Sequence, residues 1–128
     1  MSYASGASSG TKCIGGTGFG TTQLKTPTGI YFDSASNSLY IANTDANNIV
    51  RWVVGASNWI LVAGSSSGTA GLSSTLLNYP RDVFLDHMKN VYVADCDNNR
   101  VVLWTVGASS GTIVAGAGKM TIYKRVFI

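Results

Sequence analysis

The segment Val91-Tyr-Val-Ala-Asp-Cys-Asp-Asn-Asn-Arg-Val101 decides the fold, because its pattern occurs a second time as Leu39-Tyr-Ile-Ala-Asn-Thr-Asp-Ala-Asn-Asn-Ile49. The two segments lie 52 residues apart. Each joins a short run rich in Val, Ile and Tyr, which is typical of a β-strand, to a turn rich in Asn and Asp. Self-similarity at a fixed spacing predicts a repeat protein in which each copy is one supersecondary unit.

The repeat extends well beyond this segment. Upstream, Leu24-Lys-Thr-Pro-Thr-Gly-Ile-Tyr-Phe-Asp33 matches Leu77-Asn-Tyr-Pro-Arg-Asp-Val-Phe-Leu-Asp86 at an offset of 53. One residue is lost in the polar connection that follows, where a deletion is tolerated. Downstream, Trp52 matches Trp104. A biased composition could produce Gly-Ala-Ser runs, but it does not align Pro, Asp, Tyr and Trp over so long a register.

Each unit contains four short apolar runs separated by Gly, Asn, Asp and Ser, a pattern that predicts strands and tight turns. Their short links favour antiparallel hairpins. Some strands are apolar on both faces, which indicates sheets covered on both sides. Small sheets stacked around an axis meet this condition, so we predict an all-β fold made of four-stranded antiparallel β-propeller blades. The expected strands are 28–33, 38–43, 48–54 and 59–63, then 82–86, 90–95, 100–106 and 112–115.

The chain contains about two blades and part of a third. Residues 6–11 are identical to residues 107–112 and indicate the end of a preceding copy. A ring needs about four to eight blades, so we expect an incomplete propeller that is part of a longer protein. The alternatives are that the chain self-associates into a ring through its open edges, or that these edges are capped. The expected units are residues 1–23 for the end of a preceding blade, 24–76 for a blade and loop, 77–118 for a second blade, and 119–128 for a divergent tail that is poorly packed or adds a strand.

Together, Pro80-Arg-Asp-Val and the run from Val91 to Val101 resemble the NHL repeat. The resemblance covers about residues 6–116. It implies a propeller, commonly of about six blades, that is used mainly to bind partners. Two features depart from the family pattern. Asn48 stands where an Arg is expected, and the spacing is longer because of the Ser/Gly-rich stretch 64–76, which is predicted to be a surface loop.

Composition excludes several classes of protein. Only 12% of the residues are charged, and the net charge of +3 is not gathered into one basic stripe, so nucleic-acid binding is not expected. Cys13 and Cys96 do not occupy matching repeat positions and predict neither a disulfide framework nor a zinc site. No apolar run is long enough to span a membrane. The sequence leaves the cellular compartment open.

Five residues of the repeat motif are interpreted as structural. Asp95 and Arg100 can tie neighbouring strand ends through charge-assisted hydrogen bonds, with a charged binding pair as the alternative. Asn99 belongs to the same motif. Trp52 and Trp104 occupy matching positions and are expected to pack blade against blade. The alternative for the two tryptophans, a base-stacking platform, would need exposed aromatic rings interleaved with Arg or Lys.

Positions that differ between the two units are the candidates for binding. Arg81 occupies the repeat position at which the first unit has Thr28. His87 and Lys89 lie in the turn that is one residue shorter in the second unit. Loops on a rigid scaffold usually carry binding, so these three residues are the predicted binding positions. His87 is the sole histidine, and no acid and nucleophile accompany it in a catalytic motif. We therefore predict no catalytic residue, no metal site and no cofactor.

These observations predict a non-catalytic protein-interaction scaffold with a protein partner. The resemblance also allows two alternatives. One is part of a larger NHL-containing enzyme, of the ubiquitin-ligase or amidating-lyase type, and the other is an RNA-binding propeller. The chain lacks the RING-type cysteines and the several histidines that the enzymes would need. Fold analogy alone cannot identify a ligand.

Overall fold

The computed structural model describes residues 15–16, 18 and 20–116, together with the backbone of Lys119–Met120. In these residues the fold is all-β, with two antiparallel sheets that do not close into a barrel. The predicted fold class is therefore confirmed. The partial copy at residues 6–11 and the tail from residue 121 onward lie outside the described residues.

The first blade is a four-stranded sheet whose strands follow one another in chain order. The first three strands are joined by short turns, and the turn between the second and third strands is the 3-10 turn Thr44–Ala46. The link between the third and fourth strands is longer. None of the helical segments in the described part of the chain has the length and apolar character that a membrane-spanning helix requires. The strands are β1 (Pro27–Asp33), β2 (Ser38–Asn43), β3 (Asn48–Val53) and β4 (Ile60–Gly64).

The second blade repeats this order and adds a short fifth strand. The fifth strand comes from the start of the tail, so an added strand, one of the two expectations for this region, is found at its first two residues. All eight predicted strands are observed, with ends within two residues of the expected ones. The strands are β5 (Pro80–Leu85), β6 (Val91–Asp95), β7 (Arg100–Trp104), β8 (Thr112–Gly116) and β9 (Lys119–Met120).

The two blades share their local irregularities as well as their strands. Asn47 and Asn99 both follow a 3-10 turn in the left-handed conformation, with φ of 57° and 53°. Asn adopts this conformation more readily than most residues, which explains why the repeat keeps it here. A register shift follows the first residue of the first strand in both sheets, at Pro27 in β1 and at Pro80 in β5. The sequence repeat is thus a repeat of backbone geometry.

The main hydrophobic core lies between the two blades. It combines the face of the first blade that carries Ile49 with the face of the second blade that carries Val93 and Trp104. Each of these side chains is almost fully buried, and burying one such side chain contributes about 1.5–3 kcal/mol. The other buried members are Tyr40, Ala42, Ala63, Leu77, Val83, Leu85, Val91 and Val102.

A smaller core lies on the opposite face of the first blade. Ile41, Val50, Trp52 and Trp59 form it, and Leu24 and Leu39 pack on its margin. The Trp59 backbone N–H donates to the carbonyl of Thr21 at 2.8 Å, and its indole Nε1 donates to the carbonyl of Gln23 at 2.7 Å. The segment that leads into β1 is thereby fastened over part of this face.

Candidate functional site

The three predicted binding residues do not form one site. Arg81 is exposed at the start of β5, and its guanidinium lies 6.0 Å from the ring centre of Tyr79. His87 and Lys89 follow the other end of the same strand, about 20 Å away at the usual rise of a β-strand. His87 is exposed. The structure therefore separates Arg81 from the other two candidates.

Lys89 links the two blades. Its ammonium group forms an ion pair with Asp33 at the end of β1, with Nζ and Oδ1 2.6 Å apart. The hydrogen bond from Lys89 is the main cause that lowers the pKa of the Asp33 carboxyl, and the same bond raises the pKa of Lys89. The lysine side chain remains 42% exposed. Lys89 thus helps to hold the blade junction while part of its side chain still reaches solvent.

Asp95 and Arg100 form a buried ion pair inside the second blade. Arg100 Nε donates to Asp95 Oδ2 at 2.7 Å, and the two side chains are 3% and 0% exposed. The other nitrogens of the guanidinium donate to three carbonyls of the loop 64–76, those of Leu72, Ser73 and Leu76, at 2.9–3.1 Å. This arrangement fixes the long loop to the end of the sheet.

The first blade has two amides in place of this pair. Asn43 and Asn48 occupy the positions of Asp95 and Arg100 and are equally buried. Asn43 Oδ1 accepts a hydrogen bond from the Lys25 backbone at 2.6 Å, and Asn48 Nδ2 donates to the Ser65 carbonyl at 2.8 Å. Among the described residues, Asn43 Nδ2 and Asn48 Oδ1 are buried without a partner. Two amides in place of the ion pair therefore leave two buried polar atoms of the first blade without a hydrogen bond among the described residues.

Asn99 and its counterpart Asn47 show what the left-handed Asn does at a blade junction. Asn47 Oδ1 accepts a hydrogen bond from the backbone of Tyr79 at 2.8 Å, which ties the first blade to the start of the second. Its Nδ2 donates to the carbonyl of Gly68 at 3.0 Å. Asn99 is exposed at the matching place on the second blade.

The two tryptophans are both buried, with 4% and 3% exposure, but they lie in different cores. Trp104 packs between the blades, whereas Trp52 lies on the far face of the first blade with Trp59. Trp52 Nε1 donates to the carbonyl of Ala56 at 2.7 Å. Neither ring is exposed as base stacking would require.

A cleft of about 390 Å³ opens between the two blades beside Lys89. We call it the inter-blade cleft. Its second cation is Arg51 of β3, which the sequence analysis did not single out. Comparison of the units could have found it, because Arg51 occupies the position where the second blade has Leu103. Tyr40 and Trp104 contribute aromatic side chains to the same cleft.

The outer faces of the blade pair are the other notable surfaces. On the first blade Ile30 and Phe32 are 63% and 51% exposed. On the second blade a shallow apolar depression includes Ala94, Val101 and Ala115. For both surfaces, the equivalent residues of the other blade are buried at the junction between the blades.

Metal ligands are not clustered in the described part of the chain, where no group of three or more His, Cys, Asp or Glu residues could hold an ion. Cys96 is a free cysteine, and Cys13 lies outside the described residues. Among known proteins, no family model matches this chain and no curated protein matches it significantly.

Proposed function

We propose that the chain forms NHL-type β-propeller blades that act as a non-catalytic protein-interaction scaffold. The observation that carries this proposal is that the apolar faces joining one blade to the next occur again on both outer sides of the pair, where the described part of the chain supplies no partner blade. The partner that fits such a face is another twisted sheet of the same kind. A second copy of this chain supplies one.

The outer face of the first blade supports the proposal most directly. Ile30 and Phe32 of β1 are 63% and 51% exposed, whereas their counterparts Val83 and Leu85 of β5 are 4% and 2% exposed. The difference arises because the first blade covers β5, whereas no blade covers β1 within the described residues. Large exposed apolar side chains on one sheet face are typical of an interaction surface.

The outer face of the second blade is also more exposed than the matching inner face, but the difference in exposure is smaller. Ala94 and Val101 are half-buried, while Ala42 and Ile49, which match them in the first blade, have no exposed surface at all. Small and branched apolar residues at these positions suit close sheet packing. One outer face therefore carries large apolar side chains and the other carries small and branched ones, as do the two faces that meet at the junction between the blades.

Sedimentation velocity over a range of protein concentrations tests the proposal. We expect the wild-type chain to associate as its concentration rises, and we expect Phe32→Glu and Val101→Glu each to shift it toward the monomer. Met88→Glu is the matched control, because Met88 is 66% exposed in a turn away from both faces. A wild-type chain that stays monomeric at every concentration, or a control that disrupts association equally, would contradict the proposal.

A further inference from the structure

We propose that the inter-blade cleft binds an extended peptide that carries a carboxylate side chain between apolar ones, with Arg51 as the anchor of the carboxylate. This inference rests on the proposed function, because it names the chemistry of one partner that such a scaffold would take. The cleft is internal to the blade pair. It is therefore independent of the two outer faces.

The lining of the cleft combines positive charge with apolar surface. Arg51 enters from the first blade and Lys89 from the second, and no Asp or Glu lines it. Tyr40, Val91 and Trp104 supply buried apolar surface. A volume of about 390 Å³ lies within the range of about 300–1,000 Å³ that is usual for small ligand sites. The cleft therefore suits a few side chains of an anionic peptide rather than a folded domain.

Arg51 has hydrogen-bonding capacity to spare. Its Nε donates to the hydroxyl of Ser38 at 3.1 Å, and its guanidinium lies 5.9 Å from the ring centre of Tyr40. These contacts hold the planar group in place. Within the described residues, the two terminal nitrogens of Arg51 have no hydrogen-bond partner. A guanidinium edge of this kind matches a carboxylate through two parallel hydrogen bonds.

Lys89 adds a second donor from the opposite wall. One of its three ammonium protons is used by Asp33, at 2.6 Å, which leaves two for a ligand. The Asp33 carboxylate is itself buried and occupied by this bond. Lys89 therefore favours an anion in the cleft without being able to replace Arg51 as its anchor.

The rim of the cleft explains why apolar residues should flank the carboxylate. Ile60 and Leu61 of β4 are 55% and 38% exposed on one side, and Val106 is 68% exposed on the other. All three line the opening. In an extended peptide alternate side chains point to the same face, so pockets that differ in character can give specificity. Here the exposed apolar side chains can contact residues on either side of the carboxylate that the cations bind.

The repeat itself points to the same two cations. Arg51 replaces the apolar residue of the repeat, since Leu103 is its counterpart, and Lys89 stands where the first blade has Asn37. Lys89 and Asn37 share a left-handed backbone, with φ of 69° and 52°, so the turn does not need a lysine. The fold thus accepts uncharged residues at both positions. Two cations from different blades nevertheless meet at one cleft.

Fluorescence anisotropy with a labelled peptide of alternating Leu and Glu tests the inference. We expect this peptide to bind the full chain, and its Leu–Gln twin to bind at least about tenfold more weakly, since a charged hydrogen-bonded pair is lost. Arg51→Leu should weaken the Leu–Glu peptide to a similar extent and should no longer discriminate between the two peptides. Because the second blade carries Leu at this position, the variant is expected to fold. Arg81→Leu is the matched control, because Arg81 is an exposed cation at the other end of β5.

Four results would overturn the inference. Three of them are the absence of binding, equal binding of the two peptides, and equal loss of affinity in Arg51→Leu and Arg81→Leu. The fourth is equal binding of hexaglutamate, since the apolar rim would then contribute nothing. Sedimentation of the same Arg51→Leu protein separates this inference from the proposed function. If that protein self-associates through Phe32 and Val101 while no peptide binds the wild type, the peptide site fails and the scaffold stands.

Discussion

Replacing Asp95 by Asn should destabilise the protein far more than an exposed substitution would. The carboxylate is fully buried and lies 2.7 Å from Arg100 Nε, whose side chain is 3% exposed. An amide of the same shape removes the negative charge and leaves a buried guanidinium without its counter-charge. Breaking a buried pair in this way costs about 3–5 kcal/mol. Part of the cost also arises at residue 95, because Oδ1 accepts from the Asn78 backbone and Oδ2 from Asn98 Nδ2, so the NH2 of the new Asn must face a donor.

The double variant Asp95→Asn/Arg100→Asn provides the decisive comparison, because it copies the Asn43–Asn48 arrangement of the first blade. Arg100→Asn alone loses the hydrogen bonds to three loop carbonyls and strands a buried carboxylate, so it should cost at least as much as Asp95→Asn. The double variant leaves neither charge unpaired. Its cost should therefore fall short of the sum of the two single costs by about 2–3 kcal/mol.

Urea unfolding measures these differences. With an m value of about 2 kcal/mol per molar, a loss of about 4 kcal/mol lowers the midpoint by about 2 M. Arg81→Asn, an exposed cation, is the control and should stay within about 0.5 kcal/mol of the wild type. If Asp95→Asn shifted the midpoint no more than this control, or if the two single costs simply added, the account of the pair as a coupled unit would be refuted.

Two further perturbations test the blade junction. Lys89→Met should remove a stabilisation that is present above the ordinary Asp33 pKa of 3.8 and is lost as pH falls through the lowered value in the folded state. The difference in urea midpoint between wild type and variant should therefore be largest near neutral pH and shrink in acid. A constant difference would contradict this. Gly29→Ala places a Cβ 2.7 Å from the backbone carbonyl oxygen of Arg81 and should cost about 1–3 kcal/mol, because the inner strands must separate. An unchanged thermal midpoint would show that the junction has room to yield.

The repeat made most of the fold predictable from sequence. Because two copies share a register, each strand was identified twice, and the positions of turns followed from where Gly, Asn and Asp recur. The least accurate ends were those of β5 and β7, which differ from expectation by two residues. In β7 the apolar pattern continues two residues beyond the last paired residue, whereas in β5 the pairing begins two residues before the pattern, at Pro80. Apolar periodicity alone therefore cannot find the limit of the ladder.

The candidate site was harder to predict because it depends on how the blades meet. Lys89 could be recognised as a departure from the repeat, but its partner Asp33 lies 56 positions earlier, and nothing in the local sequence indicates the pairing. Arg51 is a departure of the same kind and was overlooked, since it lies inside a strand rather than in a loop. Arg81 was grouped with His87, although opposite ends of one strand cannot share a site.

The junction between the blades also shows how the outer face of the second blade differs from the matching inner face of the first. Gly29 has no side chain where the first blade meets the backbone of β5, and a Cβ there would come within 2.7 Å of the Arg81 oxygen. In the second blade the same position is Asp82, which carries a Cβ. A sheet that docks on the second blade therefore cannot approach its inner strand as closely as β5 approaches β1. Because apolar contact depends on close approach, binding on that side must draw more on the outer strands, where Val101 and Ala115 lie, and less on the inner one.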